Sequence, residues 1–145
     1  MTNQPIKNPL WFSILAVVFI IWNLIGVLQY LGQVTLDDAT KNQMDQELLK
    51  LMNATPKVIT ALFAIAVWSA FSASILLLLK KASALLLFRL SLIAVLIQTA
   101  YTILATNGPE LVGVVSYYGL QTSIIVIGVL QIYFSRKAIL KSWIA

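Results

Sequence analysis

Four long apolar stretches, each nearly free of charge, run through this chain: Pro9 to Gly32, Pro56 to Leu79, Ser83 to Thr106 and Leu111 to Phe134. A hydrocarbon core roughly 30 Å thick takes about 20 helical residues to cross, so each stretch is long enough for a spanning helix. Inside a bilayer the backbone has no water to bond to, and a helix satisfies its own N–H and C=O groups. The sequence therefore predicts an all-α fold, an integral membrane four-helix bundle. Composition agrees, because 60% of the residues are hydrophobic and only 10% are charged, against about a quarter charged in soluble domains. Residues 1–145 are read as one transmembrane bundle, with no independent soluble domain. The first stretch is longer than the apolar region of a signal peptide and lacks a clear small-x-small cleavage site, so it is read as a retained helix.

Charge falls between the stretches and gives them a direction. Lys7 precedes the first, Lys80 and Lys81 join the second to the third, and Arg136, Lys137 and Lys141 follow the fourth. Asp37, Asp38, Asp45 and Glu47 lie in the first connection beside Lys41, Lys50 and Lys57, and Glu110 alone marks the last. Basic excess marks the cytoplasmic side, which predicts a multi-pass protein with both termini in the cytoplasm. A net charge of +5 does not point to nucleic acid here, since the cations sit at membrane boundaries. Membrane lipid is the expected partner, with Lys80, Lys81, Arg89, Arg136 and Lys137 as anionic-lipid contacts. Arg89 is the only charge clearly inside a window, away from its first residues, and it is close enough to the cytoplasmic boundary to snorkel. Trp11 and Trp143 read as interfacial anchors.

The first connection has helix signals of its own. Met44, Leu48, Leu51 and Met52 form an amphipathic stripe, and Thr35 with Asp38 fits a capping-box pattern. A short amphipathic outer helix is predicted over about 36–53, capping the bundle or resting on headgroups. Asn107, Gly108 and Pro109 predict a turn before the fourth helix. Leu24 to Leu28 and Leu92 to Leu96 are alike, each followed by Gln and Tyr, a pattern open to duplication or to chance within a small apolar alphabet.

Trp22-Asn23-Leu24-Ile25-Gly26-Val27 with Tyr30 and Gln33, Phe63-Ala64-Ile65-Ala66-Val67, Leu76-Leu77-Leu78-Leu79-Lys80-Lys81, and Ser91 to Gln98 with Tyr101 together resemble a family of small uncharacterised bacterial four-transmembrane-helix proteins, sometimes loosely labelled sugar transporters. The resemblance runs across nearly the whole chain and implies a bacterial inner-membrane location. The fourth helix departs from it, with Tyr117, Tyr118 and Gln121 where a proline-containing stretch is common. The family supplies no established site residues to carry over.

Polar groups within the spans are the functional candidates. Asn23, Tyr30 and Gln33 share a face of the first helix with Gly26, and Gln29 lies beside them; Gln98 and Tyr101 mark the third helix, Tyr117 and Gln121 the fourth. Amides are costly in hydrocarbon, so they either bond across helices or line a polar cavity. Interhelical bonds in membranes average only about 0.6 kcal/mol, a modest return for so many amides. On the second helix Gly26 has small-residue counterparts in Ala66, Ser69, Ala70, Ala73 and Ser74, a surface for central packing or for an oligomer contact. Trp68 lies mid-helix, to fill a gap between helices or to stack on a ligand.

The chain contains no Cys or His, which removes thiolate chemistry, imidazole proton transfer and the usual zinc or haem ligation. No carboxylate lies within a span, and no nucleophile motif is present. The sequence implies no enzyme activity, no cofactor and no metal. Two functions are expected. The first is a non-enzymatic role through helix association, as a homo-oligomer or with a membrane-protein partner, alone or as an accessory subunit. The alternative is binding or transport of a small uncharged solute or an amphipathic lipid-like molecule among Asn23, Gln29, Tyr30, Gln33, Trp68, Gln98, Tyr101, Tyr117 and Gln121.

Overall fold

A computed structural model describes residues 7–145, and among them every regular element is an α-helix. Four are long: α1 (Leu10–Val34), α4 (Lys57–Leu78), α5 (Ala84–Ala105) and α7 (Val114–Leu140). Each is long and apolar enough to cross a membrane, with mean hydropathy of 2.4, 2.2, 1.9 and 1.5 in chain order. Three short helices, α2 (Asp38–Gln43), α3 (Gln46–Ala54) and α6 (Gly108–Val112), cluster at one end. The opposite end, here the terminal end, carries the start of α1, the α4–α5 turn and the C-terminal residues. Pro9 and Pro56 stand immediately before α1 and α4, where a missing N–H removes no helical bond.

The predicted outer helix over 36–53 is two helices, and the reason is a second cap. Asp45 accepts hydrogen bonds from the backbone N–H groups of Glu47 (2.9 Å) and Leu48 (3.2 Å), which starts α3 afresh after α2 has ended at Gln43. The predicted Thr35 cap also gives way. Asp37 caps α2 by accepting from Thr40 N–H at 2.8 Å, while Thr35 closes α1, donating its hydroxyl to Leu31 C=O at 2.6 Å. Its hydrogen bond to Thr40 holds the Asp37 carboxyl below the usual value of 3.8.

The turn at Asn107 to Pro109 runs into α6, and Gly113, at φ +100°, separates α6 from α7. The fourth long helix thus begins at Val114, three residues later than the predicted Leu111, and runs six past Phe134 to Leu140. Arg136 and Lys137 lie within α7 and do not end it; nothing in their chemistry stops a helix. Gly108 is needed for space: a Cβ there would come within 3.0 Å of Thr102 Cγ2 and 3.1 Å of Thr106 Oγ1.

At the terminal end α4 and α7 finish in the same way. Lys81 N–H bonds Leu76 C=O (2.8 Å) with Lys80 at φ +61°, and Trp143 N–H bonds Ala138 C=O (2.9 Å) with Ser142 at φ +54°. These are Schellman closures with Lys and Ser in the left-handed position that glycine usually takes. The two turns then join, Ala145 N–H to Lys80 C=O and Ala82 N–H to Ala145 C=O, both at 3.0 Å. This joint seats Trp143 against Trp11 and Phe12, with ring centroids 5.5 and 5.6 Å apart. Trp11 and Trp143 therefore pack on each other, an aromatic seam joining α1 to the end of α7.

Around the bundle α1 pairs with α4, α4 with α5, and α5 with α7, neighbours in chain order running antiparallel. The buried core lies toward the terminal end, where Phe12, Ala16 and Phe19 meet Ala73, Leu77, Ala84, Phe88, Ala138 and Ile144. The ring is closed from α7 to α1 there by Phe134, whose ring is 6.3 Å from both Trp11 and Phe19. Toward α2 and α3 no residue of α1 beyond Val27 is buried, and none of α7 before Gln131.

The small-residue face of α4 is spent inside the chain. Ala66, Ala70, Ala73 and Ser74 are buried, with Asn23 and Gly26 of α1 on one side and Ser91 of α5 on the other. Ser69 is half-buried. Trp68 points the other way and is 44% exposed, with only Phe71 as an aromatic neighbour; two residues from Ala66 and Ala70, it falls on the opposite side of a helix with 3.6 residues per turn. It fills no gap between helices.

Candidate functional site: an amide-lined cavity

Where the aromatic core ends, the helices leave a cavity of about 330 Å³. Its walls come from all four long helices: Trp22, Asn23, Gly26 and Gln29 of α1, Phe63, Ala66 and Ala70 of α4, Ser91, Val95 and Gln98 of α5, and Leu120, Gln121 and Ile124 of α7. The lining contains no ionisable side chain. Four carboxamides from three helices converge on it within an otherwise apolar bundle.

Two of these amides also hold helices together. Asn23 Nδ2 donates to Ser74 Oγ at 2.7 Å and to Ala70 C=O at 3.3 Å, with Ser74 Oγ in turn donating to Ala70 C=O at 2.8 Å. Gln121 Nε2 donates to Thr99 Oγ1, whose hydroxyl donates to Val95 C=O at 2.7 Å. Ser91, at the depth of Ala66, donates to its C=O at 2.7 Å. Gln29 and Gln98 make no such side-chain bonds among the described residues, and their donors and acceptors stay available along the cavity wall.

The remaining sequence candidates lie elsewhere. Tyr30 packs edge-on against Phe63 at 5.5 Å, outside the lining. Gln33 borders a separate recess of about 220 Å³ with Lys41 and Met52, and Tyr101 borders another of about 450 Å³ with Leu51 and Glu110, both at the α2–α3 end. Tyr117 sits edge-on to Tyr118 at 5.5 Å, and Trp68 faces outward. Lys80, Lys81, Arg89 and Arg136 are exposed, while Lys137 is half-buried with its Nζ 5.9 Å from the centre of the Tyr133 ring. Gly26, by contrast, lines the cavity, and a Cβ there would meet Val67 at an ordinary 3.4 Å.

Sequence reading missed Ser91, Trp22 and Phe63. Ser91 carried a usable signal, since it lies seven residues before Gln98 and so on the same face of α5. It also missed Gln131, which is 3% exposed and has an Nε2 without a hydrogen-bond partner among the described residues. Gln121 faces Thr99 and Gly128 faces Leu92, a register that puts Gln131 level with Phe88 and Arg89. The leftover donor lies where the packed core gives way to the cavity. Compared with known protein families, curated proteins and solved structures, the chain has no significant match.

Proposed function

We propose that this protein is an integral membrane four-helix bundle of a bacterial inner membrane, both termini cytoplasmic, that binds a small uncharged molecule without chemically altering it. The observation that carries this reading is the convergence of Asn23, Gln29, Gln98 and Gln121 on one cavity, with Gln29 and Gln98 left unbonded by the protein. Amides needed only to join helices would end on partners, as Asn23 and Gln121 do. Unpaired ones in an apolar bundle carry a cost that a ligand's hydroxyl or carbonyl groups offset. A volume of 330 Å³ is within the range of small-molecule sites, roughly 300 to 1,000 Å³. The exposed cations at the terminal end support the orientation and contact with anionic headgroups.

A role in helix association requires a surface other than the small residues of α4, because Ala66, Ala70, Ala73 and Ser74 are covered within the chain. Ala70→Leu is accordingly a folding variant and reports nothing about assembly. The test of binding is native mass spectrometry of protein released directly from its own membranes, comparing the natural chain with Gln29→Leu/Gln98→Leu. A reproducible small molecule retained by the first and lost from the second is expected. An identical set of bound molecules in both ends the proposal.

A further inference from the structure

The cavity is not closed on all sides, and its open side lies between α1 and α7. Among its lining residues Asn23 and Ser91 are each 8% exposed, whereas Ile25 of α1 is 49% and Leu120 of α7 is 51% exposed. The deep wall thus mixes Asn23 and Ser91 with Ala66 and Ala70, and the rim on α1 and α7 is formed by Ile25 and Leu120 with the exposed Gln29 one turn from Ile25. Those two helices meet through Phe19 and Phe134 at the terminal end, but beyond that depth they are not among the paired helices. A Cβ on Gly32 or Gly119 would find nothing within 4 Å. The gap opens through the side of the bundle, along the apolar lengths of α1 and α7.

We infer that the cavity is a lateral site for one lipid-like molecule, which enters between α1 and α7 with an uncharged, hydroxyl-bearing headgroup against Gln29 and Gln98 and leaves its apolar chain in the gap beside Ile25 and Leu120. This rests on the proposed binding function and narrows its ligand. Charge decides the headgroup: a phosphate or carboxylate would enter a wall with no cation to meet it, at a desolvation cost of several kcal/mol per ion. Carboxamides both donate and accept, which suits hydroxyls that do the same. Polarity decides the entry route, because a purely polar solute gains nothing from Ile25 and Leu120 at the rim, whereas an amphipath keeps its chain in an environment equivalent to the one it left.

The test uses the full chain in phosphatidylcholine vesicles with a monoacylglycerol carrying a diazirine in its acyl chain, and maps photolabelled peptides by mass spectrometry. Labelling is expected to concentrate on α1 around Ile25 and α7 around Leu120. Excess unlabelled monoacylglycerol should displace it, and free glycerol should not. Gln98→Leu removes up to two hydrogen bonds and is expected to weaken labelling about tenfold or more. Leu120→Trp, which narrows the gap, should act likewise, while Leu86→Trp on an outward face near the terminal end should leave labelling intact. Even labelling of all outward faces overturns the inference, as does equal competition by a lysophosphatidic acid. Competition by glycerol at the same concentration overturns lateral entry and leaves the binding function standing. Disulfide-linked pairs of Leu120→Cys chains that abolish labelling show a second copy in the gap and also overturn it. Absent labelling together with unchanged ligand retention in Gln29→Leu/Gln98→Leu defeats both readings at once.

Discussion

The two halves of the bundle use the same four helices differently. Toward the terminal end, Phe12, Phe19, Phe88 and Leu77 are at most 5% exposed, and α7 is tied back to α1 by aromatic rings and to the α4–α5 turn by two backbone hydrogen bonds. Toward α2 and α3 neither α1 beyond Val27 nor α7 before Gln131 has a buried residue, and carboxamides join the aromatic rings along the inner faces. Lipid supplies little drive for one apolar helix to leave it for another, so packing, hydrogen bonds and shape hold such a bundle together. The comparison indicates that the aromatic half supplies the packing and the amide half is free to be a site.

The most severe way to test this division is to make a cavity in each half. Phe88→Ala removes a ring that is 1% exposed and is expected to cost about 2 to 4 kcal/mol, the packing and cavity part of a large core truncation. Leu120→Ala, at the rim, should change stability by no more than about 0.5 kcal/mol. Denaturant titration of helicity in mixed micelles measures both. Equal losses would mean that the two halves are equally load-carrying and that the open gap is closed in the membrane.

A second test lies at the boundary. Gln131 Nε2 is a buried donor without a partner among the described residues, and such a group costs about 1 to 3 kcal/mol. Gln131→Met keeps the volume and removes the donor, so it is expected to raise stability by about 1 kcal/mol in the same titration. A destabilised variant would show that something reaches this depth, water or a ligand group, and would extend the site toward the core.

Third comes the hydrogen bond that spans the halves. Ser74→Ala takes the 2.7 Å partner from Asn23 and leaves its amide only Ala70 C=O at 3.3 Å. The expected loss is about 0.6 kcal/mol, rising to at most about 1.7 kcal/mol if the amide finds no replacement. A larger loss would put more of the fold's stability in the amide half than its packing implies.

The spans were legible because hydropathy is summed over whole windows, and lipid demands it at every position. The division into halves was not legible, for the same reason: a helix face toward lipid and one toward the core are both apolar, so Ile25 at the rim and Val27 in the interior look alike. Asn23, Gln29, Gln98 and Gln121 stood out as amides against that background, and they do share a cavity. Tyr30 and Trp68 stood out equally and do not, since aromatic rings are at home in lipid, in packing or in a site. The break before Asp45 was hidden by a hydrophobic stripe that continues across it, and the end of α7 was hidden by taking a basic cluster for a helix terminus.

The smallest effect belongs to α2 and α3 at the open end, whose first turns are held by local caps. The Asp37 carboxylate accepts from Thr40 N–H at the start of α2, and this bond lowers its pKa from 3.8. A carboxyl whose pKa is lower folded than unfolded stabilises the fold above its unfolded value, and that contribution is lost as pH falls through the folded value. Acidification below 3.8 should therefore loosen α2. Hydrogen exchange, corrected for its intrinsic pH dependence, should show faster opening at Thr40 and Lys41 in acid and unchanged protection in α4 near Ala73 and Leu77. Asp37→Asn, which still caps but does not titrate in this range, should remove the pH dependence and keep α2 formed. If α4 opens together with α2, the local cap is coupled to the core and the two halves are one cooperative unit.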